Sequence, residues 1–269
     1  MIFGKFPIYI LLLFFIFNIS ACKKEKSTEG PTIPSLNSMQ MNFSFPGLGT
    51  SSATVNGDSS NYFLANTIIS YWLNFCNGFN YIPVQALRSC IGKTPTYNAE
   101  DSTWSWSNQF LTETNQNYLC NLYGMSIGDS VSWIMDVQQI GENNVYKYFQ
   151  GISHTTYGWW IIYSPISQSN LEKTASIKIN WNKVNQTITY TNIILSDPDS
   201  SSYISFNNLQ TTDYTDNYQT KILSFPNNTS VNGNTYAISW NADNNSGYIS
   251  WNNQSNCWNE NLINSTCKK

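Results

Sequence analysis

Charge is scarce in this chain. Only 11% of its 269 residues are Asp, Glu, Lys or Arg, and the net charge is −3; an average domain carries about 25%. No basic stripe exists to neutralise phosphates, so nucleic acid is not an expected partner. Histidine occurs once, at His154. That excludes multi-histidine metal sites and leaves little room for a histidine-based triad. His154 lies in Gly151-Ile152-Ser153-His154-Thr155 and reads as a strand-end residue. No C-x-x-C pair occurs, which removes zinc ribbons and thioredoxin-type sites. G-x-S-x-G, P-loop and G-x-G-x-x-G motifs are missing too. The acids do not form a reacting pair. Asp197 and Asp199 flank Pro198 in a turn, Glu100-Asp101 approaches a strand, and Asp136 falls on the wetter face of one. Glycoside hydrolysis needs two opposed carboxyls, one of them in an apolar setting. Asp243-Asn244-Asn245-Ser246-Gly247 lacks the acid that closes a calcium loop, since Gln254 stands at that position, and reads as a hairpin turn. The expectation is a protein that is not an enzyme and holds no metal or cofactor.

Long apolar runs are also absent. The longest, Ile8 to Phe17, rises about 15 Å as a helix, too little for a hydrocarbon core of about 30 Å. With Lys5 before it and Ser20-Ala21 after it, this run reads as a secretory signal over residues 1–21. Ile19-Ser20-Ala21-Cys22 resembles the lipobox of bacterial lipoproteins. The resemblance implies that the Cys22 thiol receives a diacylglycerol, that cleavage follows, and that the new N-terminus is acylated, commonly with palmitate. The membrane is then a partner through several acyl chains, enough for stable anchoring. Lys23-Lys24-Glu25-Lys26 follows at once and is similar to the charged segments of surface-exposed lipoproteins of the Bacteroidota. No aspartate follows the cysteine, so enterobacterial inner-membrane retention is not implied. The expected location is the outer membrane, on its periplasmic face or at the cell surface. Residues 22–40, rich in Lys, Glu, Ser, Thr and Pro, read as a tether reaching about 60 Å when extended.

A single domain is expected over 41–269. Met41 to Phe45 reads as a short strand. Ala65, Ile68, Ile69, Trp72, Phe75 and Cys76 recur at three and four, as in an amphipathic helix. Gly78 offers a stop, and Pro83 opens a second helix through Cys90. The expectation is a helical hairpin over about 59–91, stapled by Cys76–Cys90. A second local disulfide is expected at Cys257–Cys267, leaving Cys120 as a buried thiol. From Thr103 the apolar period becomes two: Val131, Trp133, Met135, Val137; Ile177, Ile179, Trp181; Ile188, Tyr190, Ile194; Tyr236, Ile238, Trp240; Ile249, Trp251. Such alternation marks antiparallel strands with one wet face. Gly158 to Tyr163 is apolar on both faces and reads as a covered central strand. The fold class is therefore mainly β: an antiparallel meander of about ten strands over about 103–252. It forms a curved sheet or half-barrel with the helical hairpin packed on or in it. This pattern resembles the half-barrel of periplasmic lipoprotein carriers and lipocalin-like barrels. The Trp104 to Ile194 segment is similar to β-rich lipoproteins of the Bacteroidota type.

Aromatics reach 15% of residues, with 10 Trp. The inward series Trp104, Trp106, Trp133, Trp181, Trp240 and Trp251 either fills the core or lines a ligand cavity. Trp159, Trp160 and Trp258 are placed outside, where they would stack on sugar rings. Two functions fit these residues: a monomeric, non-catalytic binder of an apolar or amphiphilic ligand, or a structural and interaction module that contacts glycans.

Overall fold

The computed structural model describes residues 29–40, 45–46, 57–163, 175–192, 202–207, 216–221 and 235–267. The signal segment, Cys22, Met41 to Ser44 of the expected first strand, Ile194 and the Asp197-Pro198-Asp199 turn lie outside the described residues.

One helix, α1 (Ser60–Cys90), replaces the expected hairpin. Its 31 residues rise about 46 Å. Gly78 does not stop it, and Pro83 sits inside it. The reason is packing. Trp72, Cys76, Asn80, Pro83, Val84 and Leu87 are all buried, so one stripe runs through the proline without a change of face. Burial on both sides of Pro83 outweighs the lost amide, a defect that costs about 3 kcal/mol in an isolated helix.

Fourteen antiparallel strands follow in chain order: β1 (Thr96–Asn98), β2 (Thr103–Leu111), β3 (Asn117–Ile127), β4 (Ser130–Gln139), β5 (Val145–Ser153), β6 (Tyr157–Tyr163), β7 (Ala175–Asn182), β8 (Thr187–Asn192), β9 (Tyr203–Asn207), β10 (Asp216–Lys221), β11 (Thr235–Trp240), β12 (Gly247–Trp251), β13 (Gln254–Trp258) and β14 (Asn264–Ser265). Each pairs with the next, and β10 links the nine strands before it to the four after it. The fold is thus mainly β, as the alternation predicts, and among the described residues eleven strands, β2 to β12, lie within 103–252, where about ten are expected; β1, β13 and β14 lie outside that range. Of these, β1 and β14 are short edge strands with little apolar signal. Tight turns set the register. Gly128-Asp129 joins Ile127 to its partner Ser130, with Gly128 at φ +60°, as a two-residue hairpin requires. Among the described residues β1 and β14 do not pair, so no closed barrel forms.

The sheet's two ends meet the same helix. The first turns of α1 dock on the last strands: Asn61 Nδ2 donates to Cys257 O (3.0 Å), and Asn264 N donates to Asp58 O (2.7 Å). Its last turns contact β2 and β3. Residues 31–40 belong to this folded body, so the tether reading ends near Gly30. A short 3-10 turn over Leu36–Ser38 carries Ser38 and Met39 into the interior. There Trp160 Nε1 donates to Ser38 Oγ (3.2 Å), and Asn80 Nδ2 donates to Met39 O (3.2 Å).

Candidate functional site

The tryptophan series resolves into two kinds. Trp106, Trp133, Trp160, Trp240 and Trp258 are buried in the core. Four indoles lie across cross-strand glycines: Trp133 over Gly124, Trp160 over Gly151, Trp181 over Gly158 and Trp258 over Gly247. A Cβ built on any of these glycines would come within 2.8 Å of the facing ring. The missing side chains create the slots that the rings fill. Trp106, Trp133, Trp160 and Trp258 also have their N–H groups paired, to Lys93 O, Ser153 Oγ, Ser38 Oγ and Asn245 O. They are structural residues. The expected placing of Trp160 and Trp258 on the outside is therefore corrected, because their side chains face glycines on the inner surface. Trp104 and Trp251 are half-buried, beside Tyr97 and Tyr236. Of the six tryptophans expected either to fill the core or to line a cavity, Trp106, Trp133 and Trp240 fill the core.

Among the described residues, the two buried tryptophan N–H groups without a partner are those of Trp72 and Trp181. Each belongs to the lining of a hollow. Trp181 borders a cavity of about 240 Å3 with Lys183, Gln186 and Phe206, and the Lys183 ammonium lies 5.7 Å from its ring centre. Trp72 borders a larger cavity of about 580 Å3 between α1 and strands β8 and β9. Its apolar wall is Met39, Trp72, Leu73, Val84, Tyr190 and Ile204. Asn77, Asn80, Gln85 and Glu113 supply the polar wall. Asn80 is buried, uses its Nδ2 on Met39 O, and leaves Oδ1 unpartnered. A buried donor and a buried acceptor thus both lack partners in one lining. Each such vacancy costs about 1–3 kcal/mol unless something fills it. Tyr190, whose hydroxyl donates to Met39 O, helps fix residues 38–40 as the wall between the two hollows.

The cysteines rearrange as well. Cys257–Cys267 is a disulfide, as expected. Cys76–Cys90 is not, and both are free thiols. Fourteen residues along one helix rise about 21 Å, far beyond the reach of a disulfide. Burial holds the Cys76 thiol well above its ordinary pKa. Cys90 instead meets Cys120 of β3, with 3.7 Å between the sulfurs. The hydrogen bond from Cys120 holds Cys90 below the ordinary thiol range, while the same contact and burial push Cys120 up.

His154 sits in the β5–β6 turn, stacked on Tyr157 at 4.7 Å. Asp136 lies on the outer face opposite Lys147, its carboxyl raised by burial and partly lowered again by that lysine. Among the described residues no three His, Cys, Asp or Glu side chains could share a metal. No helix among them is long and apolar enough to cross a membrane. Comparison with protein-family models, curated proteins and solved structures found no match.

The helical tryptophan was missed by reading the strands alone. The sign available in the sequence was Asn80, an amide on the buried stripe of α1 where an aliphatic residue would be ordinary.

Proposed function

We propose that this protein is a membrane-anchored lipoprotein that binds an amphiphilic small molecule in the cavity between α1 and the sheet. One observation carries the binding reading: Trp72 and Asn80, whose buried N–H and C=O are unpaired, are both lining residues of a cavity of about 580 Å3, a volume typical of ligand sites. A head group that both accepts and donates a hydrogen bond, such as a primary amide, would supply both partners. An apolar tail would lie on Leu73, Val84 and Ile204. In this reading the open sheet on its helix is a half-barrel whose interior is packed in large part by tryptophan, with its larger hollow along α1.

Octanamide tests it, with n-octane as the comparison. The proposal expects saturable octanamide binding by calorimetry, about tenfold tighter than octane for one good hydrogen bond. Equal affinity for both, or no saturable binding of octanamide, would sink it. The anchoring half of the proposal rests on the lipobox-like Ile19-Ser20-Ala21-Cys22. Cys22→Ser should move the protein from the membrane to the soluble fraction on cell lysis. Retention of the variant in the membrane would refute lipid attachment at Cys22.

A second reading is favoured by one other feature. Half-buried Trp251 borders an open hollow with Ser250, Asn252, Asn253 and Ser255, a ring face among hydroxyls and amides. That chemistry suits a sugar ring and fits a glycan-contacting module displayed at the outer membrane.

A further inference from the structure

The end of α1 and the middle of β3 bring two thiols together in the core. Cys90 and Cys120 are thirty residues apart, both fully buried, with their sulfurs 3.7 Å apart. Ser89 Oγ and Asn108 Nδ2 lie 3.9 and 4.0 Å from Cys90 Sγ. The third free thiol, Cys76, lies on the same helix about 21 Å below Cys90. Among the described residues, geometry therefore leaves Cys90 and Cys120 only each other.

We propose that Cys90 and Cys120 are a second disulfide site, one that staples the C-terminal end of α1 to the sheet when the chain matures under oxidising conditions. A bonded pair needs an S–S separation of about 2.05 Å, so the two sulfurs must approach from van der Waals contact. The position of Cys90 permits this. It is the last residue of α1, and Ile91 and Gly92 follow in a turn where Gly92 takes φ +76° with open space around it. Beyond it Lys93 O is held by Trp106 Nε1, so Gly92 is the joint at which the helix end can shift toward β3.

The chemistry is thiol–disulfide exchange with a protein or small-molecule disulfide as oxidant. While the sulfurs are still accessible, during folding, the Cys90 thiolate attacks one sulfur of the oxidant. This forms a mixed disulfide and expels the first thiolate of the oxidant. Cys120 then gives up its proton and attacks Cys90 Sγ, expelling the second thiolate. Two protein thiols become one disulfide, the oxidant's disulfide becomes two thiols, and two electrons and two protons pass between them. That the chain meets such an oxidant in the cell rests on the export reading. The chemistry itself does not.

The test uses the full chain in a preparation where peptide mapping shows Cys257–Cys267 oxidised. This requirement separates the proposal from export, whose failure would leave that bond reduced in protein taken from cells. The denatured chain is treated first with iodoacetamide, then reduced and treated with N-ethylmaleimide. Cys76 should carry the first label. Cys90 and Cys120 should carry only the second, and the unreduced digest should contain their linked peptide. Cys120→Ser should expose Cys90 to iodoacetamide. It should also lower Tm by roughly 7–14 °C, from the loop entropy of a closure of this length. If Cys120→Ser does not fold, the wild-type map still decides. First-label alkylation of both Cys90 and Cys120 in the wild type, or a link from either to Cys76, overturns the proposal.

Discussion

Gly151→Ala is expected to destabilise the protein by about 3 kcal/mol, a fall in Tm of roughly 6–12 °C. The new Cβ would stand 2.1 Å from Trp159 O and 2.6 Å from Trp160 Cε3. The first of these is backbone and cannot swing aside. Gly151 pairs with Trp160 across β5 and β6, and Trp160 is fully buried with its N–H on Ser38 Oγ. Relief of the clash must therefore separate two central strands or expel an indole that also holds residues 36–39 in place. Gly78→Ala is the matched control. Gly78 lies on the exposed face of α1 with nothing within 4 Å of its Cβ position. There the same methyl should stabilise by about 0.5–1 kcal/mol through helix propensity. Urea denaturation of the two variants checks both signs. Equal and small effects would show that the glycine slots are not packed as described.

Trp133→Ala should cost about 3–5 kcal/mol, the range for removing a buried aromatic. The indole is 1% exposed, packs at a tilt against Trp106 at 5.7 Å and donates to Ser153 Oγ at 2.8 Å. Its removal opens a cavity and leaves that hydroxyl without its donor. A sharper result comes from coupling it to Gly124. The three atoms nearest a Cβ on Gly124 would all belong to the Trp133 ring, the first at 2.8 Å. Gly124→Ala alone should therefore destabilise. In the Trp133→Ala background the same change should become neutral or stabilising, because the clash has gone and alanine suits a strand better than glycine. Additive effects in the double-mutant cycle would contradict the ring-over-glycine packing.

These variants mark what could be read in advance. Period-two alternation in Val131–Val137 and Ile177–Trp181 was sufficient for the strands and their inner face, because sheet geometry fixes that period. The helix was legible through Ala65, Ile68, Ile69 and Trp72, but its length was not. Gly78 and Pro83 are local stop signals, and only the burial of Val84 and Leu87 against the sheet overrides them. The role of the tryptophans required register. Nothing local to Trp160 says that Gly151 will stand opposite it, and that pairing makes the residue a filler rather than a cavity wall. Residues 31–40 have a tether's composition, yet Met39 is fully buried inside the sheet. The Cys90–Cys120 approach is a long-range consequence of how α1 docks, which cysteine spacing cannot report.

The central claim is that ligand enters beside Trp72 while the sheet's tryptophans stay packed. Nuclear magnetic resonance of the 15N-labelled indole groups tests it most directly, with the Trp72 signal assigned by its loss in Trp72→Phe. On titration with octanamide, the Trp72 N–H resonance should move downfield as it gains an acceptor, saturating with the calorimetric curve. The resonances of Trp133, Trp160 and Trp258, already hydrogen-bonded, should stay in place. A fixed Trp72 signal at saturating octanamide, or movement confined to the sheet tryptophans, would contradict the account.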